Sequence, residues 1–214
     1  SLINLEDFLM KKLLSICAFL FSAIILVACT SNNESINAQT CNSGNVIFSA
    51  DFAAGRMDEC KALGNSEYLI TIKPENTPIN SSPWYAFKIT AKKEEKIKVT
   101  LKISGKRENR YLPKISQDLE TWRVLEHKYQ SKRLEMKISA TSQPTYISAQ
   151  EIINNQYYVD WAKSLQNKVK LSHGVLGKST QGRPIYKIES QAKSNEWLVV
   201  FGRLHPPEIT GALA

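Results

Sequence analysis

Two residues near the end of the 214-residue chain have the types and spacing of metal ligands: His205 and Glu208, in Arg203-Leu204-His205-Pro206-Pro207-Glu208-Ile209. Imidazole nitrogen and carboxylate oxygen both suit Zn2+, and a catalytic zinc takes three protein ligands, such as His, His and a carboxylate, with a fourth position open for water. A separation of three residues can bring two side chains to one point on the first turn of a helix. Pro206 and Pro207 suit a corner entering such a helix, because the first turn has no intrahelical donor to lose. Zinc held there would lower the pKa of its water towards about 7 and polarise a carbonyl. Taken alone the pair is a weak signal, since a Glu follows three residues after roughly 6% of histidines by chance. The competing reading is a strand-end His hydrogen-bonded to its neighbours. His127 and His173 have no acid at metal-ligand spacing.

The elements that would position this corner follow from periodicity. Trp197-Leu198-Val199-Val200-Phe201 is an unbroken apolar run, the composition of a strand buried on both faces inside an α/β sheet. Ligands in such folds bind beyond the carboxyl ends of the strands, where His205 and Glu208 stand. Upstream, Ser148-Ala149-Gln150-Glu151 has the Ser-x-x-Glu form of a capping box, and Ile153, Tyr157, Trp161 and Leu165 recur every four residues. This predicts a helix from Ser148 to about Asn167. A strand at Val169–Ser172, a glycine-bearing turn over 174–183 and a second strand at Pro184–Ile188 follow.

Before Pro144 the period is two. Val46–Phe48, Tyr68–Ile72, Trp84–Ile89, Lys96–Ile103, Trp122–Leu125 and Arg133–Ile138 alternate, with turn-forming residues between them. Short strands at this spacing predict an antiparallel β-sandwich. Its expected core is Ile70, Ile72, Trp84 or its neighbours Tyr85 and Phe87, Val99, Leu101, Leu134, Met136 and Ile138. The switch from period two to 3.6 puts a domain boundary between residues 146 and 147.

The chain opens with an address. Met10-Lys11-Lys12 precedes an apolar run from Leu13 to Ile25 that is short for a membrane span and reads as an export signal. The run ends in Leu26-Val27-Ala28-Cys29, which resembles the lipobox of bacterial lipoproteins and implies lipidation of Cys29. An uncleaved anchor helix is the competing reading. Ser1–Leu9 read as translated upstream sequence, so residues 1–28 form the upstream and signal segment and 29–40 a lipidated, polar tether. In an oxidising exported setting, Cys41 and Cys60 are expected to pair as a disulfide at the start of the first domain.

Lys and Arg number 28 against 20 Asp and Glu, a net charge of +8. Much of the excess alternates with apolar residues in Lys96-Ile97-Lys98-Val99-Thr100-Leu101-Lys102-Ile103, as on the solvated face of a strand. Attraction to a membrane surface is the functional alternative. Scattered lysines on an exported protein argue against a nucleic-acid partner. Nine glycines and eight prolines exclude a collagen-like or low-complexity chain.

A resemblance now joins these pieces. The leading helix, Gly177-Lys178-Ser179-Thr180-Gln181-Gly182-Arg183-Pro184-Ile185 (family form G-x-S-x-x-G-R-x-I) and the strand running into Arg203–Gly211 resemble the opening of the zinc metallocarboxypeptidase catalytic domain, of the carboxypeptidase A-like family. Ser82–Phe87 and Tyr111–Trp122 in the preceding sandwich look like the N-terminal domain of its cytosolic-carboxypeptidase-like branch. The resemblance implies a sandwich over 41–146, then a truncated α/β catalytic domain over 147–214 in an N-terminal fragment. It also implies Zn2+ on His205 and Glu208, and removal of C-terminal residues from peptides or proteins. In that family zinc-bound water attacks the scissile carbonyl, a Glu is the general base and an Arg neutralises the oxyanion. Those residues and a second His follow the His-x-x-Glu motif, so the general base is expected beyond Ala214 and the 214 residues are expected to be inactive.

The expected setting is the bacterial cell envelope, at the outer membrane or the periplasmic side of the membrane, with the lipid as the membrane contact. The alternative from another class is a tethered sandwich binding a glycan or cell-wall polymer without catalysis. Trp84, Tyr85, Tyr111 and Trp122 would then offer stacking faces rather than fill a core.

Overall fold

The period-two stretches up to Ser148 become strands whose apolar residues turn to one side. The structure, a computed structural model, describes residues 40–75, 82–105, 108–166, 171–191, 193–203 and 209–213. One sheet joins β1 (Thr40–Asn42), β2 (Val46–Ser49), β5 (Ala86–Ala91), β11 (Thr145–Ser148), β7 (Lys114–Ser116) and β8 (Arg123–Val124), in that order. The other joins β3 (Glu59–Gly64), β4 (Glu67–Ile72), β6 (Glu95–Ile103), β10 (Arg133–Ala140) and β9 (His127–Gln130).

The two sheets share one core. Ile70, Ile72, Val99, Leu101, Leu134, Met136 and Ile138 from one sheet are buried with Val46, Phe48, Phe87, Ile89 and Ile147 from the other. Phe48 and Tyr68 meet across the interface with ring centroids 4.7 Å apart. Each such aliphatic or aromatic side chain contributes about 1.5–3 kcal/mol by leaving water. In the register of β6 with β10, Leu101 faces Leu134 and Val99 faces Met136 on the inner side. Lys102 faces Arg133 and Lys98 faces Lys137 on the outer side.

The sandwich is not wholly antiparallel. Strands β4 and β6 run parallel, Glu67 beside Lys98 through to Ile72 beside Ile103. The chain between them visits the opposite sheet as β5, so it re-enters in the same direction instead of turning back as a hairpin. At the sandwich edge, Cys41 on β1 is bonded to Cys60 on β3 with their Cα atoms 5.6 Å apart, tying one sheet to the other. The bond closes a loop 19 residues long, for which chain entropy gives about 3 kcal/mol.

The expected helix start is also corrected. Ser148 is the last residue of β11, fully buried, with its hydroxyl donating to the Tyr85 carbonyl at 3.4 Å. Glu151 pairs with Lys114 on β7 instead of capping a helix. The expected domain boundary at 146/147 therefore falls inside a sandwich strand. The helix, α1, spans Asn155–Gln166 and is capped by Asn154, whose Oδ1 accepts from the Tyr157 amide at 3.1 Å.

Beyond α1, β12 (Leu171–Lys178) and β13 (Pro184–Ser190) form an antiparallel hairpin packed against the helix. Much of the expected turn over 174–183 is strand, and the chain reverses only between Ser179 and Arg183, with Gly182 at φ 74°. Trp197–Phe201 is not a strand, and these side chains are 63–91% exposed. A strand buried on both faces needs paired strands at its edges and apolar layers above and below. The described residues after Ala149 supply α1, the hairpin and one more short helix.

One loop carries a charge that holds it together. The Asp118 carboxylate accepts from the Thr121 amide at 2.7 Å, the Glu120 amide at 2.9 Å and the Ser116 hydroxyl at 2.9 Å. The two amides, and then the Ser116 hydroxyl, hold its pKa well below the usual aspartate range. A carboxyl depressed in the folded state stabilises fully above its unfolded value near about pH 4 and loses that contribution as pH falls through its folded value. Thermal midpoints recorded from pH 6 to pH 2 should therefore show Asp118→Ala less stable than wild type at pH 6, with the two curves converging at the acid end.

Candidate functional site

His205 and Glu208 lie outside the described residues, so the site is defined by the chain on either side. Gly202 and Gly211 bring those flanks together. A Cβ added at Gly202 would stand 2.4 Å from the Gly211 carbonyl oxygen, and one added at Gly211 would stand 2.8 Å from the Arg203 amide nitrogen. Real Cβ atoms do not approach backbone this closely, so both positions require glycine. The chain on either side of residues 204–208 therefore meets in a close neck of glycine backbone.

Three contacts hold the neck. Arg203, at φ 51°, donates from its guanidinium to the Ile153 carbonyl just ahead of α1. Ile209 is buried at 4% exposure. The short helix α2 (Thr210–Leu213) starts directly after it, and the Ala212 amide donates to the Ile209 carbonyl at 2.8 Å. The Arg203 side chain thus serves the backbone at the entry to α1. The glycines stand three residues before His205 and three after Glu208, a symmetry that the sequence displays but that periodicity does not flag.

Of the other histidines, His127 has a local partner, whereas the His173 Nε2 is buried without a hydrogen-bond partner among the described residues. The Nδ1 atom of His127 lies 2.8 Å from the Leu125 carbonyl oxygen, and the His173 ring stacks on Tyr186 with centroids 5.1 Å apart. Among the described residues no group of three or more His, Cys, Asp or Glu could hold a metal ion. The donor set that fits zinc is the imidazole and carboxylate of His205 and Glu208, one nitrogen and one oxygen ligand of the kinds a catalytic zinc takes. Cys29 also lies outside the described residues, among which no helix is long and apolar enough to cross a membrane.

Of the four aromatic residues that a stacking platform would use, two lie in the core and two are half-buried. Tyr85 and Tyr111 are in the core, and burial first, then the neighbouring Tyr111, pushes the Tyr85 phenol above the usual tyrosine range. Trp84 packs against the same core and donates its indole N–H to the Ala54 carbonyl at 3.0 Å. Trp122 is half-buried and donates its own to the Leu119 carbonyl at 3.0 Å.

Two sheets with one parallel pair, a capped helix, a hairpin and a glycine neck make a distinctive sequence of parts. Residues 48–149 match the family of the cytosolic carboxypeptidase N-terminal domain. Solved structures of metallo-carboxypeptidases share the fold over a longer stretch. A metallo-carboxypeptidase from Burkholderia cenocepacia superposes with a TM-score of 0.58 at 14% identity, covering 71% of this chain and 41% of that one. A putative carboxypeptidase A from Shewanella denitrificans OS-217 gives 0.56 at 20% identity, covering 66% of this chain and 39% of that one. A metallo-carboxypeptidase from Pseudomonas aeruginosa, solved in complex with (2-guanidinoethylmercapto)succinic acid, gives 0.50 at 17% identity, with coverage of 66% and 39%. The chain thus spans about two fifths of the length of these structures. No curated protein matches it.

The neck can be tested directly. Gly202→Ala and Gly211→Ala force a Cβ against backbone, so hydrogen exchange at the Ala212 amide should accelerate at least several-fold in each. Gly177→Ala, where an added Cβ meets no atom within 4 Å, should leave that rate unchanged.

Proposed function

We propose that the chain is the sandwich and the opening catalytic segment of an exported, lipid-anchored zinc metallocarboxypeptidase that removes C-terminal residues from peptides or proteins. The observation that carries this reading is the order of parts. A domain matching the cytosolic carboxypeptidase N-terminal family is followed by α1, by a hairpin bearing Gly177–Ile185 and by a glycine neck around His205 and Glu208. In this reading His205 and Glu208 are two of the three protein ligands. Bound zinc supplies Lewis-acid polarisation of the scissile carbonyl and an activated water.

The chain's own residues prepare that chemistry. The close approach of Gly202 and Gly211 brings together the chain on either side of residues 204–208, and the Arg203 contact to Ile153 ties it to the start of α1. The second His, the general base and the groups that grip the substrate carboxylate are assigned to sequence following Ala214. Cys29 is the acylated residue and the cell envelope the location, supported by Leu26-Val27-Ala28-Cys29 after a basic and then apolar run.

Assayed with zinc and small C-terminal peptide substrates, the 214-residue chain should release no amino acid. A form continued through the remaining catalytic residues should do so in a zinc-dependent manner. Since loss of a group that merely orients a ligand costs 10- to 100-fold, His205→Ala or Glu208→Gln should cost that form at least about 100-fold. Zinc-independent release, or full activity in either variant, would sink the reading. The anchor is tested separately: cells fed a labelled fatty acid should mark the wild-type chain and leave Cys29→Ser unmarked.

A further inference from the structure

The outer face of the five-stranded sheet carries an arrangement that folding stability alone does not favour. Lys61 on β3, Lys96, Lys98 and Lys102 on β6, and Arg133 and Lys137 on β10 project outward, among the acids Glu59 on β3, Glu67 on the intervening β4 and Glu135 on β10. In the register of β6 with β10, Lys98 stands directly opposite Lys137 and Lys102 opposite Arg133. Like charges facing each other across an antiparallel pair are destabilising. Lys98 is offset by Glu67 at 3.8 Å and Glu135 at 3.9 Å. Among the described residues, Lys96, Lys102, Arg133 and Lys137 form no ion pair.

Shape and position narrow what such a face would meet. Three gaps of about 4.8 Å from β3 to β10, and a rise of about 3.3 Å per residue from Lys96 to Lys102, make the patch roughly 14 Å by 20 Å. It holds a shallow groove of about 480 Å3, bordered by Lys96, Lys98, Lys137 and Ser139, groups that donate to phosphate oxygens, and by the single carboxylate of Glu67, which lies 3.8 Å from Lys98. The disulfide from Cys41 to Cys60 fastens the N-terminal strand to β3, the edge strand of this same sheet. Residues 30–40 span at most roughly 40 Å when fully extended, so any surface holding Cys29 stays within reach of the face. A broad basic face beside an anchor point is complementary in charge to a plane of negative headgroups.

We infer that the outer face of the five-stranded sheet docks on the anionic headgroups of the bilayer to which Cys29 is anchored. This goes beyond the peptidase reading and uses its lipid anchor only for proximity. Anionic surfaces attract clustered basic residues within a Debye length, and the attraction falls with salt.

The test is co-sedimentation of the full 214-residue chain with vesicles of phosphatidylcholine alone or with one quarter phosphatidylglycerol. All proteins compared share the same N-terminal segment, so its apolar contribution is common to every arm. Wild type should partition onto the anionic vesicles at least about tenfold more strongly than onto the neutral ones. Lys96→Gln/Lys102→Gln/Lys137→Gln should lose about tenfold or more of that on the anionic vesicles and nothing on the neutral ones. A control with equal charge loss on the hairpin segment, Lys178→Gln/Lys187→Gln/Lys193→Gln, should stay within about twofold of wild type, and 500 mM salt should abolish the preference.

The face variant should melt no lower than wild type, because it relieves facing like charges. Equal partitioning of face variant and control overturns the inference, as does face-dependent binding of soluble polyglutamate or an anionic polysaccharide without binding to anionic vesicles. Absence of fatty-acid label on Cys29 would remove the anchor while leaving the vesicle result to judge the face.

Discussion

The buried layer between the two sheets is the constraint from which the rest of this structure follows. Ile70, Val99, Leu101, Leu134 and Met136 from one sheet interlock with Phe48, Phe87, Ile89 and Ile147 from the other, and none is more than marginally exposed. Because a strand alternates its faces, committing these residues inward commits their neighbours outward. The lysines of β6 are outside for that reason, whatever else they do there. A slip of one residue would exchange Val99 and Leu101 for Lys98, Thr100 and Lys102, and burying unpaired ammonium groups is far more costly than any local propensity could offset.

Around that core, a few contacts decide how neighbouring parts attach. The Cys41–Cys60 bond joins the open edge of one sheet to the open edge of the other. Excursion of the chain into the opposite sheet between β4 and β6 makes the one parallel pair among the described residues and puts β6 at the centre of its own sheet. At the far end, Lys114–Glu151 and the Arg203 bond to the Ile153 carbonyl link the sandwich to the segment that carries the glycine neck. In the proposed reading, a metal-ligand pair on that segment would gain from such support, since ligands act only when their backbone is held in place.

Legibility varied with the range of the interaction involved. The core residues were readable because alternation is local, and the helix was readable from its four-residue repeat, but its start was not. Ser148-Ala149-Gln150-Glu151 satisfies the capping pattern, yet pairing of β11 with β5 and β7 claims Ser148 for a strand, and Lys114 claims Glu151. Both partners are more than thirty residues away in sequence. Trp197–Phe201 shows the same limit from the other side: an apolar run states a capacity for burial and does not supply the strands and layers that would bury it.

The sequence by itself determined which faces are apolar, which residues have the chemistry of zinc ligands and which cysteines could serve as disulfide partners. These depend on side-chain type and on spacings of a few residues. Only the tertiary structure decided the strand order, the parallel pair, the facing of Lys98 and Lys137, and the close neck of Gly202 and Gly211. Each of those arises where segments distant in sequence share one surface, or where two backbones come closer than a Cβ permits. Such contacts are set by how the shared core aligns the strands and by steric exclusion between segments, and no local pattern encodes either.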